Sequence, residues 1–399
     1  MPGNHRRTLS IGRRFTTCSK AIFILLAGFW LVGRAFIIMC RWSEEPTFGT
    51  CSGIVDHMCA EYSRSRLTGS MCLELCQNTS AERFQCKHVT GSGKKIIYFS
   101  RDENSKLVLK TKSFVFHELQ AGHQNILRDS MAQGSLATTL MFLRRISKQH
   151  FVTNETFNRF VSHLDLHRHN AVAAVASGES LLQQEEYISI NNLQSTGIVP
   201  RLHGTCGNFY AVDYLPSDDT LVRMKGFTAG LPWTSVGAWE GRRTASIALI
   251  ELAERLEQHG RMLCDVRSEN FGWLDGGKIG LVDLDSVFTK GELAGILKND
   301  TCRRDSDCSL LDCHGSCNRT SRRCNADVSN TNFHAICSKI FRHHVSNALH
   351  GVLEDVPAKH MNTLDRLLSL CSSWKMSPRE SKYALNEIRK VLLHDQILG

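Results

Sequence analysis

Three polar residues stand at chemically useful intervals: Asp265, Asn270 five positions on, and Asp283 eighteen after the first. A loop aspartate can take a proton from a hydroxyl, and amide and carboxylate oxygens are the donors a hard divalent cation binds. The three lie in LCDVRSENFG (263–272) and IGLVDLD (279–285), with a Gly276-Gly277 turn between them. A helix–loop–hairpin in which Asp and Asn only form turns uses the same residue types, so that bland reading stands beside the chemical one.

The elements that must hold these residues can be read from periodicity. TASIALIELAERLEQ (244–258) reads as an amphipathic helix with Ile247, Ile250, Leu252 and Leu256 near one face. Far upstream, KIIYF (95–99) and LVLK (107–110) read as strands joined by a turn at 102–105. A mostly helical stretch runs from about 113 to 193, short strands follow at 198–204 and 208–215, and the C-terminus is helical again. Strands first and helices after predict an α+β, two-lobed fold.

The loop and the strand pair resemble the protein kinase catalytic loop and metal motif, H-R-D-x-x-x-x-N followed by D-F-G, with both internal spacings kept. The resemblance implies Asp265 as catalytic base, Asn270 and Asp283 as metal ligands, and ATP with Mg²⁺ or Mn²⁺ as cofactor. On the same template Lys110 ends a hydrophobic strand as the nucleotide-binding lysine does, with Lys112 the alternative. Glu186 in LLQQEEYI is its expected partner, with Glu185 a rival, and Asp213 in YAVDYL (210–215) ends the strand leading to the hinge. The departures are specific. Leu263 and Cys264 replace H-R, D-F-G is Asp-Leu-Asp, and only Gly91-Ser92-Gly93-Lys94 is left of a glycine loop. No A-P-E ending is visible, and a cysteine cluster at 302–337 displaces the activation segment, which argues against a phosphorylation-switched loop.

Charge bears on partners. The chain of 399 residues has a formal net charge of +9, which invites a nucleic-acid reading. Five of those charges are Arg6, Arg7, Arg13, Arg14 and Lys20, Arg34 adds a sixth, and the remainder from residue 40 on carries only +3. Nucleic-acid binding is therefore not expected. The basic tail (1–20) precedes AIFILLAGFWLVGRAFIIM (21–39), which at helical rise spans about 28 Å, close to a bilayer core. A cleaved signal peptide with a weak Gly33-x-Ala35 site is the alternative; the apolar residues resuming at 35–39 favour an uncleaved signal anchor. Positive charge stays cytosolic, so the expected topology is type II with the body in the lumen. The paired arginines of the tail also suit di-arginine ER retention, or orientation alone. Four N-x-S/T sequons, at Asn78, Asn154, Asn299 and Asn318, agree with export.

Sixteen cysteines are too many for an ordinary cytosolic enzyme. Cys18 and Cys40 flank the apolar span. The other fourteen are disulfide candidates: Cys51, Cys59, Cys72, Cys76 and Cys86 in one group; Cys302, Cys308, Cys313, Cys317, Cys324 and Cys337 in another; Cys206, Cys264 and Cys371 alone. The second group lies among polar residues that cannot build a core, so cross-links must hold it. Zinc is the rival, weakened by the lack of any C-x-x-C pair. Connectivity is not readable.

A membrane anchor, a cysteine-rich stem, the C-D-x-x-x-E-N-F-G loop, I-x-x-V-D-L-D-x-V and a cysteine nodule together resemble the divergent protein kinase domain 1 family of cysteine-rich type II ER proteins. The resemblance spans essentially the whole chain. It implies a cytosolic tail (1–20), an anchor (21–39), a lumenal stem (40–90), a kinase-like N-lobe (91–216) and a C-lobe (217–399) with an insert at about 300–337. Members can carry an EF-hand-like loop in the N-lobe. The corresponding residues 165–176 put His167 and His169 at ligand positions and Ala176 where a bidentate Glu is needed, so calcium is not expected. His163, His167 and His169 could suit a softer metal, against the plainer reading of a solvated turn. Three functions follow as expectations: a lumenal phosphotransferase acting on secretory-pathway proteins or glycans, a pseudokinase scaffold, or a cysteine-rich ectodomain with no nucleotide site.

Overall fold

The computed structural model describes residues 51–77, 81–88, 95–102, 105–112, 136–151, 153–166, 171–216, 235–298, 300–342, 344–345, 348–349, 358–373 and 377–394. The apolar span 21–39, the Gly91–Lys94 fragment, His167, His169, Asn78 and Asn299 lie outside them. No helix among the described residues is long and apolar enough to cross a membrane. The chain divides into two compact units, Met1–Ile54 and Val55–Gly399, and every described strand lies in the second.

In chain order the first elements are α1 (Cys51–Ser63), α2 (Cys72–Gln77), β1 (Phe84–His88), β2 (Lys95–Ser100) and β3 (Lys106–Thr111). Helices α3 (Leu136–Ser147), α4 (Asn154–His163), α5 (Ala171–Leu182) and α6 (Glu185–Leu193) follow, then β4 (Leu202–Cys206) and β5 (Phe209–Asp213). The five strands form one antiparallel sheet in the order β1-β2-β3-β5-β4. The order explains the sequence pattern. In β2, nearer the edge, Ile97 and Phe99 are buried while Ile96, Tyr98 and Ser100 are half-buried. The interior strands β3 and β5 are covered on both faces and read as nearly continuous apolar runs.

The helices pack their apolar faces on this sheet. Phe160, Tyr187 and Tyr210 pack in sequence as tilted rings, with centroids 6.5 and 5.6 Å apart, and carry the core from α4 through α6 to β5. The cysteine-rich segment before β1 is built into the same body. Cys72 is bonded to Cys206 of β4 and Cys59 to Cys76. Met71 N–H donates to Thr205 O at 2.9 Å and Gly207 N–H to Thr68 O at 3.0 Å. Gly69 lies so close that an added Cβ would sit 2.1 Å from Thr205 O. Arg101, at the β2–β3 turn, pairs with both carboxylate oxygens of Glu74 on α2 at 2.5 and 2.9 Å.

The second part begins with α7 (Ser235–Gln258), which starts earlier than the periodicity predicts; Ile250, Leu252 and Leu256 are fully buried and Ile247 half-buried. The left-handed Gly260 (φ 62°) ends it. Then come β6 (Arg261–Leu263), β7 (Phe271–Leu274), β8 (Lys278–Leu281), β9 (Val287–Thr289) and α8 (Lys290–Leu297), the last with a Thr289–Glu292 capping box. The β7–β8 turn carries Gly276 and Gly277 at positive φ (76° and 72°), conformations a side chain would strain.

Short hairpins follow: β10 (Ser309–Leu310) with β11 (Cys313–His314), and β12 (Cys317–Asn318) with β13 (Arg323–Cys324). Cys302–Cys317 and Cys308–Cys324 are bonded, and these four buried cysteines are themselves the core of the insert. Three of them, Cys302, Cys308 and Cys317, converge closely enough for a metal, but their sulfurs are in disulfides and offer no thiolate. The other two cysteines of the cluster point elsewhere. Cys313 is bonded to Cys264 and Cys337 to Cys371, so the nodule is stapled to the body. Cys86 is also disulfide-bonded. The chain closes with α9 (Asn332–Ile336), α10 (Ala358–Cys371) and α11 (Pro378–His394).

Candidate functional site

Lys110 lies in interior strand β3, directly opposite Tyr210 of β5, and is 3% exposed. Opposed residues of an antiparallel pair share a face, so Lys110 and Tyr210 project together. Helix α6 brings Glu186, 4% exposed, onto that face. Its Oε1 is 2.7 Å from Lys110 Nζ, and its Oε2 accepts the Tyr210 hydroxyl at 2.7 Å. A buried ammonium or carboxylate left alone is costly, and each compensates the other. Burial, followed by the neighbouring Glu186 carboxylate, pushes the Tyr210 hydroxyl far up, so it stays protonated and donates. The start of α6 is fixed by Gln184, whose Nε2 donates to Asn208 O at 2.7 Å and whose Oε1 accepts Lys112 N–H at 2.9 Å. Glu185 and the Lys112 side chain are exposed.

Lys110 also donates to Val282 O, the carbonyl preceding Asp283, at 2.5 Å. The buried amine thus joins the sheet to the Asp-Leu-Asp segment. Val282 N–H in turn donates to Asn270 O at 2.8 Å, which seats the catalytic-type loop beside Asp283. Within the loop Asn270 Nδ2 donates to Asp265 O and Oδ2 at 3.1 and 3.3 Å. Arg267 Nε lies 2.8 Å from Asp265 Oδ1. Past Leu281, Asp285 N–H donates to Asp283 Oδ1 at 3.1 Å, and one carboxylate oxygen each from Glu186, Asp283 and Asp285 lies within 4.8 Å of the others. Gly272 allows close approach of the segment after β5: an added Cβ would meet Leu215 Cβ at 2.5 Å.

Five residues separated by up to 173 positions are therefore joined by one hydrogen-bond chain: Lys110, Glu186, Asn270, Asp283 and, through Asn270, Asp265. Residues 179–374 match the family model described as the protein-kinase domain of FAM69, and residues 14–157 match the one described as its N-terminal cysteine-rich ER region. The chain belongs to the FAM69 family. FAM69 is a divergent kinase-domain family with a cysteine-rich N-terminus, and its description associates it with the ER. The fold of this member is accordingly a kinase-like domain of mixed α and β structure with many disulfides.

The carboxylate cluster beside Lys110 is all oxygen. Glu186, Asp283 and Asp285 bring together carboxylate oxygens of the kind that suit Mg²⁺ or Mn²⁺, while Lys110 offsets the charge of Glu186. Carboxylates this close repel one another, and a divalent cation relieves that repulsion.

Asp213 behaves differently from the reading that assigns it to the cofactor. It opposes Leu107, three residues along from the Lys110–Tyr210 pair. Its carboxylate faces His203 Nε2 at 2.5 Å and accepts Arg201 N–H at 3.3 Å. Of the region compared with an EF-hand, residues 171–176 are the opening turns of α5. His163, on α4, is buried with Nδ1 lacking a partner, and its pKa falls to about 4 through burial and then the charges of Arg159 and His203.

Three residues of this site escape the sequence reading. Arg267 has a local signal, a cation two positions after Asp265. Asp285 is visible only as part of the unusual Asp-Leu-Asp. Tyr210 has none, because its contact with Glu186 depends on the β3–β5 register and on where α6 lands.

Proposed function

We propose that this protein is a type II ER membrane protein whose lumenal, two-lobed kinase-like body binds ATP with Mg²⁺ or Mn²⁺ and transfers phosphate to a hydroxyl of a secretory-pathway protein or glycan. The observation that carries the reading is the buried Lys110–Glu186 pair tied to the carbonyl before Asp283. A lysine fixed this way presents a cation beside the metal-binding carboxylates, where nucleotide phosphates need it. Asp265 accepts the substrate hydroxyl's proton, and Arg267 and Asn270 hold its carboxylate in place. Asn270 and Asp283 would hold the metal, with Asp285 beside them. The bound metal supplies charge neutralisation to the transferring phosphoryl group.

The apolar span 21–39 anchors the chain, with the basic tail in the cytosol. The disulfides require an oxidising compartment, and Asn154 and Asn318 are exposed, as glycan acceptors must be.

A pseudokinase is the second reading, favoured by Leu263 and Cys264 in place of the His and Arg that precede the base in kinases. The test is transfer from labelled ATP by the full-length chain in detergent with Mn²⁺, in the presence of secretory-pathway acceptors. Transfer lost in Asp265→Asn supports the phosphotransferase. Nucleotide binding without transfer, with Asp265→Asn indistinguishable from wild type, supports the scaffold instead.

A further inference from the structure

The cysteine-rich insert reaches the catalytic-type loop where it brackets Asp265. Asp312 N–H donates to Cys264 O at 2.8 Å, and Asp312 Oδ2 accepts Val266 N–H at 2.8 Å. These are the peptide groups immediately before and after Asp265. The adjacent disulfide, Cys264–Cys313, joins the same two segments. We propose that Asp312 is a positioning residue for Asp265: the insert supplies, from 46 positions beyond Val266, a frame for a loop in which Leu263 and Cys264 stand where kinases carry H-R.

Asp312 is itself held on every polar atom used. Its side chain is 13% exposed and its Oδ1 lies 2.8 Å from Lys339 Nζ, which fixes the carboxylate plane. Its carbonyl accepts Asn330 Nδ2 at 2.8 Å, and Asn330 Oδ1 accepts His314 N–H at 2.8 Å, locking the β10–β11 hairpin around it. The strand entering the loop is gripped from the same side. Fully buried Asn332 accepts Leu263 N–H at 2.8 Å and donates to Arg261 O at 2.7 Å. A carboxylate accepting a backbone N–H makes one of the stronger hydrogen bonds, and loss of even an ångström of placement in a catalytic group costs rate steeply.

The catalytic part of this proposal rests on the phosphotransferase reading; the positioning part does not. Two measurements on the full-length chain keep them apart. Hydrogen exchange at the Val266 amide reads the clamp directly. Asp312→Ala should speed it at least tenfold with the disulfide intact. Asp312→Asn keeps an acceptor oxygen and should restore protection. The second measurement is transfer. Asp312→Ala should lower kcat by ten- to a hundredfold with the KM for ATP within twofold, and Asp312→Asn should recover most of it. Unchanged exchange at Val266 in Asp312→Ala, or equal loss in Asp312→Asn, overturns the proposal. A wild-type chain that transfers no phosphate overturns the phosphotransferase reading, while the exchange result still decides the clamp.

Discussion

The hydroxyl of Tyr210 donates to Glu186 Oε2 at 2.7 Å, while Lys110 holds Oε1 of the same carboxylate at the same distance. The glutamate on α6 is thereby fixed from two strands at once. Gln184 also ties the helix start to Lys112 and Asn208. Tyr210→Phe removes a charge-assisted bond and keeps the ring contact with Tyr187. It should lower unfolding free energy by about 1.5–3 kcal/mol in urea titrations and weaken nucleotide binding.

Lys110→Met should do more harm. The variant leaves the Glu186 carboxylate buried without its counter-charge, at a cost of about 3–5 kcal/mol. Lys110→Met combined with Glu186→Gln should recover part of that loss. The measurement is a double-mutant cycle on denaturant midpoints, and additive losses would show that the pair is not coupled.

The buried His163 predicts acid sensitivity. Its folded pKa, about 4, lies below the unfolded value near 6.5, so the stability it contributes is complete above the unfolded value and is lost as pH falls toward 4. Between pH 7 and pH 5 that amounts to about 2 kcal/mol. Burial lowers His314 and His334 as well, and they act with the same sign. Urea midpoints at the two pH values should draw closer in His163→Gln than in wild type.

What could be read from the sequence was local. Asp265, Asn270 and Asp283 share one loop and one hairpin, so their spacing carries the geometry. Lys110 and Glu186 could be placed only by order along the chain, and Lys112 and Glu185 were rivals until register and burial separated them. Long-range pairings left no trace. Cys313 and Cys337 look like members of a closed nodule, yet their partners Cys264 and Cys371 lie outside it. Asp312 looks like one more polar residue of a polar insert. Asp213 ends its strand as expected, but its carboxylate goes to His203 and Arg201 because β4 lies beside β5. Which surfaces meet is a property of topology, and spacing within a segment does not encode it.

The disulfides should differ in worth. Cys72–Cys206 closes 134 residues and Cys302–Cys317 only 15. Chain-entropy reasoning gives about 5 kcal/mol for the longer closure and about 3 kcal/mol for the shorter. Paired Cys→Ser replacement of Cys72 and Cys206 should therefore lower the guanidinium midpoint more than replacement of Cys302 and Cys317.

The central claim is that Lys110, Glu186, Asn270 and Asp283 form a nucleotide–metal site. The most direct measurement is the thermal unfolding midpoint of the full-length chain with ATP and Mn²⁺ together, each alone, and neither, for wild type and Asp283→Ala. The account predicts a rise of several degrees for wild type only when both are present, and none for Asp283→Ala. Equal midpoints for wild type with and without ATP and Mn²⁺, or an undiminished rise in Asp283→Ala, would contradict it.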